Sequence, residues 1–145
     1  MGTRTLSGIL ATLLIMPGGC ATRAGGVGAA AGGRALEVRP EWRQFALDQY
    51  PEMVRHRLNT PDLAFRDSLA VSASYDPRED LTHLTAAGTF DARNAEGRTV
   101  TGTATVDWAA AGDLSRRPPG AAFGPVHRAA VAAERPWQAG AAPAR

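Results

Sequence analysis

The side chains best suited to acid–base or metal chemistry are dispersed along the chain. The three histidines, His56, His83 and His127, lie in separate predicted elements and lack the spacing of metal ligands. A zinc site or a histidine-based catalyst needs side chains that converge on one point. For catalysis, Asp91 and Asp107 would have to meet His83 across neighbouring strands. We therefore predict a protein that is not an enzyme and that uses no metal or cofactor.

A second candidate is an acidic cluster. Asp76, Glu79 and Asp80 crowd one short segment, and carboxylate oxygens are calcium ligands. Their spacing is not that of an EF-hand loop, and such residues are also typical of turns. We expect a turn at this position.

A row of threonines is the clearest surface pattern. The row occupies alternate positions and consists of Thr99, Thr101, Thr103 and Thr105. Alternate residues share one face of a strand, and threonine is favoured on exposed strand faces. The row predicts solvated sheet surface, with a strand-pairing interface as the alternative.

The single cysteine, Cys20, follows a short apolar run at residues 9–16. The run is far shorter than the roughly 20 residues of a membrane-spanning helix, and with Arg4 before it the segment fits a secretory signal. Gly19 and Cys20 resemble the lipobox of bacterial lipoprotein precursors, in which small residues precede a cysteine that is acylated. Pro17 stands where that family usually has leucine. The resemblance covers only about the first twenty residues.

The resemblance implies a signal peptide over residues 1–19 and a lipidated tether over residues 20–35, beginning at Cys20. Residues 21–35 are rich in Gly and Ala, as flexible tethers are. Ala21, rather than Asp, implies an outer-membrane protein facing the periplasm rather than an inner-membrane protein. Acylation of Cys20 would leave no thiol for a disulfide. The alternative is cleavage after Ala21, which would give a secreted or periplasmic soluble protein.

The charge balance argues against nucleic-acid binding. The chain has 16 basic and 14 acidic residues, and a near-neutral protein gains little from counterion release. We expect no nucleic-acid partner.

A helix is predicted between Pro40 and Leu58, where apolar residues recur at steps of three and four. These residues are Trp42, Phe45, Ala46, Tyr50, Met53, Val54 and Leu58. Pro40 suits the first helical turn. Because Pro51 lacks an amide hydrogen and crowds the preceding turn, we expect a kinked helix or two short helices that share one buried face.

Alternating apolar residues then predict three strands. The inward positions are Leu69, Val71, Ala73 and Tyr75 in the first, Leu84, Ala86, Gly88 and Phe90 in the second (about 82–92), and Val100, Gly102, Ala104, Val106 and Trp108 in the third. Turns at residues 76–80 and 94–97 would connect them. The expected fold class is α+β, with an N-terminal kinked helix packed on a three-stranded antiparallel meander and disordered flanks.

The expected domain covers residues 36–115. Residues 116–145, rich in Ala, Pro and Arg, are expected to form a weakly ordered tail, in which residues 127–135 could form an Ala-rich helix and Trp137 could dock on the domain.

A domain of about 80 residues without a disulfide has a small core, which favours association with a partner. We predict a non-enzymatic bacterial envelope lipoprotein that acts as a small binding module. Its expected partners are the membrane, through the lipid anchor, and an envelope protein or a second copy of the chain. The alternative is a periplasmic carrier of apolar or amphipathic small ligands. Its pocket, between helix and sheet, would be opened by the small residues Ala86, Gly88, Gly102 and Ala104.

Overall fold

The structure, a computed structural model, describes residues 32–66 and 68–138. Cys20, the signal segment and most of the tether lie outside these residues. In chain order the elements are β1 (Arg34–Leu36), α1 (Pro40–Leu58), β2 (Ala64–Phe65), β3 (Ala70–Asp76), β4 (Leu81–Arg93), β5 (Thr99–Ala111) and β6 (Val126–Ala133), with short 3-10 turns at Leu114–Arg116 and Pro136–Gln138.

The six strands form one antiparallel sheet in the order β1-β3-β4-β5-β6, and β2 pairs with β4 outside this path. The α+β class is therefore confirmed. The three predicted strands are the centre of the sheet, but the expected three-stranded meander is wrong, because β1, β2 and β6 extend it. The long pair β4–β5, with 13 residues in each strand, explains the extension, since an unpaired edge of that length leaves many backbone groups without partners.

The helix α1 covers one face of this sheet. Its buried residues follow steps of four, as the sequence predicted: Trp42, Ala46, Tyr50, Val54 and Leu58. The helix ends at Leu58 and is capped by Asn59, which adopts a left-handed conformation with φ of 53°. Against expectation, α1 runs through Pro51 without a break. Proline at this position deprives the Leu47 carbonyl of its amide partner, and Leu47 is 43% exposed, so water can take the place of that amide.

The core lies between α1 and the inner side of β4 and β5. Leu84, Ala86 and Phe90 from β4, and Ala104, Val106 and Trp108 from β5, are buried as predicted. Tyr50 spans this layer by donating its hydroxyl hydrogen to the carbonyl of Ala104 at 2.9 Å. Burial raises the pKa of the Tyr50 hydroxyl to about 12.

Residues 116–138 are part of this fold, so within this range the expected weakly ordered tail is wrong, whereas residues 139–145 and the N-terminal flank before residue 32 lie outside the described residues. The loop contributes Phe123, which is 3% exposed and packs against Trp42 and Phe45. Residues 126–133 form a strand along β5, from Val126 opposite Ala110 to Ala133 opposite Ala104, and the helix expected there is wrong. Trp137 docks on the domain as expected, with its ring 6.2 Å from that of Phe90.

Among residues 32–66 and 68–138, no helix is both long enough and apolar enough to cross a bilayer.

Candidate functional site

The sheet face opposite α1 carries a polar cluster at its centre. Thr85 lies directly opposite Asp107 in the β4–β5 register, and His83 lies two residues before Thr85 on the same face. Asp107 accepts a hydrogen bond from the Thr85 hydroxyl at 2.9 Å, and its other oxygen lies 3.0 Å from Nδ1 of His83. The cluster is recessed, because the His83 side chain is 13% exposed. These bonds fasten the two central strands to one another.

The structure brings together only part of the arrangement that catalysis would need. His83 and Asp107 meet, but Asp91 is bonded elsewhere: it accepts from Arg66 at 3.1 Å and from Thr101 at 2.6 Å. Ser74 faces His83 across the β3–β4 pair, yet no hydrogen bond joins its hydroxyl to the imidazole. A serine nucleophile is activated through such a bond. Among the described residues, His83 is therefore hydrogen-bonded to Asp107 but not to a serine hydroxyl.

The acidic turn is not organised around a cation. Asp76 accepts from the amide of Arg78, and Asp80 accepts from the hydroxyl of Tyr75. Glu79 faces the sheet, with a carboxylate oxygen 3.5 Å from Arg128 and 3.9 Å from Nε2 of His83. In the part of the chain that the structure describes, no three His, Cys, Asp or Glu side chains are grouped as metal ligands.

The small residues expected to open a pocket instead allow close packing. A Cβ on Gly88 would lie 3.0 Å from both Leu69 and the Tyr50 hydroxyl, and a Cβ on Gly102 would lie 2.7 Å from Phe90. The space between helix and sheet is filled at these positions. The pocket proposed for a small-ligand carrier is therefore not formed by these residues.

A groove lies instead where α1 meets the edge of the sheet. Its volume is about 570 Å³, and its lining residues are Gln49, Glu52, Met53, His56 and Arg57 of α1 and Ala129 and Val131 of β6. The three histidines do not converge, since His56 borders this groove, His83 lies on the other face of the sheet, and His127 is exposed on β6.

The edge formed by β6 is the feature that sequence reasoning missed. Its first five residues, 126–130, are exposed, and among the described residues only β5 pairs with it. The strand contains no proline and no lysine, two residue types that commonly protect edge strands. The signals available in the sequence were the β-branched Val126 and Val131, and the absence of Gly and Pro between them.

The threonine row lies where the alternation placed it, on the face turned away from α1. Thr99, Thr101 and Thr103 are exposed and Thr105 is half-buried. In the part of the chain that the structure describes, no helix covers this face or the β6 edge beside it.

Compared with known proteins, the chain matches no family model, no curated protein and no solved structure, so the geometry of this edge carries the functional argument.

Proposed function

We propose that the protein is a lipid-anchored module of the bacterial envelope that binds another protein chain by extending its own sheet at β6. The observation that carries the proposal is the outer edge of the eight-residue strand β6, with which no strand pairs within residues 32–66 and 68–138. The module acts without catalysis. The signal segment and Cys20 supply export and attachment, and the folded part supplies the binding edge.

Strand addition suits this edge for two reasons. First, an unpaired strand presents backbone N–H and C=O groups that a partner strand satisfies in a regular ladder. Second, many side chains along β6 are small, since four of its eight residues are alanine. Small side chains leave the backbone accessible to a neighbouring strand. The groove beside Met53 and Val131 gives the partner apolar surface in addition to these hydrogen bonds.

The polar cluster on the sheet face has a supporting role in this proposal. Asp107 ties β4 to β5 through Thr85 and His83, and Glu79 lies 3.5 Å from Arg128 of β6. These contacts hold the edge strand in register with the centre of the sheet. A binding edge must keep a fixed geometry if its partner is to recognise it.

Photo-crosslinking in intact cells tests the binding edge. A benzophenone amino acid replaces either Ala132, exposed on β6, or Ala95, exposed in the distant β4–β5 loop as the matched control. We expect a covalent adduct after irradiation with the probe at 132 and none with the probe at 95. Equal adducts at both positions, or none at 132, would contradict the proposal.

The same cells test the anchor by fractionation. The full chain should sediment with the outer membrane, whereas Cys20→Ala should move to the soluble periplasmic fraction. If Cys20→Ala remains with the membrane as the full chain does, lipidation at Cys20 is wrong.

A further inference from the structure

Along β6, the backbone N–H and C=O groups of successive residues point alternately toward β5 and toward the outer edge of the sheet. The amide of Glu134 donates to the carbonyl of Thr103 at 3.0 Å. In an antiparallel ladder, each residue directs both of its backbone groups to one side, and the next residue directs them to the other. The pairing is regular from Arg128 to Ala133. The outward groups therefore belong to Ala129, Val131 and Ala133.

These three residues are evenly spaced around Val131, which makes the edge complementary to itself. If a second β6 lies antiparallel with Val131 opposite Val131, then Ala129 faces Ala133 and Ala133 faces Ala129. Every outward N–H and C=O of the three residues then gains a partner. A two-fold axis through Val131 produces this arrangement, and closed two-fold dimers are the commonest symmetric assemblies.

Charge selects the same register. With Val131 on the axis, Arg128 of each copy lies opposite Glu134 of the other, on the face turned away from α1. Both residues are exposed, and opposite charges at directly facing positions stabilise paired strands. Sliding one strand by two residues either way moves Arg128 opposite Ala132 or Pro136 and removes both pairs.

We propose that the partner at the β6 edge is a second copy of this chain, joined antiparallel about Val131 with two reciprocal Arg128–Glu134 pairs. This inference rests on the proposed binding edge and specifies its occupant. The proposed interface consists of one strand from each copy, so we expect a weak dimer that forms only at high protein concentration. A shared membrane raises the effective concentration of anchored copies.

The opposite edge of the sheet does not offer an equivalent surface. Its outer strand, β1, has only three residues, and Arg34 within it is held by Asp113 at 2.7 Å. Short edge strands are one of the ways in which natural sheets avoid association. The asymmetry between the two edges predicts a closed dimer rather than a growing fibre.

Charge reversal tests the register. The full chain, purified in mild detergent, is measured by sedimentation over a range of concentrations as wild type, Arg128→Glu and Glu134→Arg. Each single variant places like charges opposite one another twice, so we expect its dimerisation constant to fall by about tenfold. An equal mixture of the two variants restores opposite charges at both pairs and should dimerise nearly as well as wild type.

Two controls separate the interface from folding. Arg98→Glu makes the same kind of charge reversal at an exposed position in the β4–β5 loop and should leave dimerisation unchanged. Val131→Pro removes an outward amide without removing a bond to β5, so it should abolish the dimer while far-ultraviolet circular dichroism stays that of wild type. Wild type that remains monomeric at millimolar concentration, or single variants that dimerise as well as wild type, would overturn the proposal.

The crosslinking experiment distinguishes this inference from the proposed function. An adduct from position 132 with twice the mass of the chain supports the second copy. An adduct with a different protein leaves the binding edge standing and refutes the second copy, whereas no adduct refutes both.

Discussion

At the scale of single residues, Gly102 controls how closely β5 approaches the chain after β6. A Cβ at this position would lie 2.7 Å from Cζ of Phe90 and 2.9 Å from Cδ of Pro136. Phe90 is fully buried and has little room to move. The absence of a side chain at 102 therefore lets Pro136 and the docked Trp137 close one end of the core.

We expect Gly102→Ala to lower the free energy of unfolding by about 1–3 kcal/mol, the usual cost of overpacking. Urea denaturation monitored by tryptophan fluorescence measures it. Thr103→Ala, on the exposed face of the same strand, is the control and should change stability by less than about 0.5 kcal/mol. A Gly102→Ala variant as stable as this control would show that Pro136 does not pack against β5.

The sequence identified Gly88 and Gly102 correctly as inward positions, because alternation depends only on neighbouring residues. It gave them the wrong role. Two of the side chains that approach them, Tyr50 and Pro136, are more than 30 residues away along the chain. Whether a small residue opens a pocket or admits a neighbour is decided by tertiary contacts that a local pattern does not contain.

At the scale of elements, α1 contains an internal proline, Pro51, that lowers the stability of the helix. The structure has a continuous helix from Pro40 to Leu58, but residue 51 donates no hydrogen bond to Leu47. Because Leu47 is exposed, water can bond to its carbonyl, which offsets part of the stability lost with that hydrogen bond.

Pro51→Ala restores an amide hydrogen and a strong helix former at this position. The replacement also gives the unfolded chain more freedom, which opposes part of the gain. We expect a net increase of about 1 kcal/mol in the free energy of unfolding, measured by urea denaturation. Pro61→Ala, which lies after the helix, should show no such increase. A loss of stability in Pro51→Ala would mean that the ring itself contributes packing in α1.

The elements differ in how well the sequence predicts them. The strands β3, β4 and β5 follow from alternation and turn residues, and α1 follows from the spacing of its apolar residues. The strand β6 does not, because alanine is the best helix former and residues 127–135 precede Pro136 as a short helix would. The strand forms there because β5 offers a long edge, and that edge is a non-local partner. The candidate interaction edge, β6, was therefore the element that the local sequence pattern did not predict.

At the scale of the whole molecule, two carboxylates fasten peripheral segments to the sheet. Hydrogen bonds from Ser115 and the charge of Arg34 hold the pKa of Asp113 below its ordinary value. Hydrogen bonds from Thr101 and Arg66 lower the pKa of Asp91 in the same way. Asp113 connects β1 to the turn after β5, and Asp91 connects the segment after β2 to the central strands.

Because these pKa values are lower in the folded protein, the unfolded chain binds more protons as the solution becomes acidic. The stability that each carboxylate contributes is complete above its ordinary pKa of about 4 and is lost as the pH falls through the folded value. We expect the urea midpoint to fall between pH 6 and pH 2.5, and to fall less in Asp113→Asn. The exposed Glu37→Gln is the charge-matched control. An equal fall in Asp113→Asn and wild type would contradict this role for Asp113.

The order of strands also fixes where the chain enters the sheet. The segment before residue 34 leads into β1, and β6 forms the opposite edge, four strand spacings or roughly 19 Å away. In a pair joined at β6, the two entry points lie at the far ends of a continuous sheet, roughly 43 Å apart along its width. Lipids attached through these two ends would hold the pair at two distant points, each through its own flexible tether, so the pair would stay at the membrane even while one of its two lipids was detached.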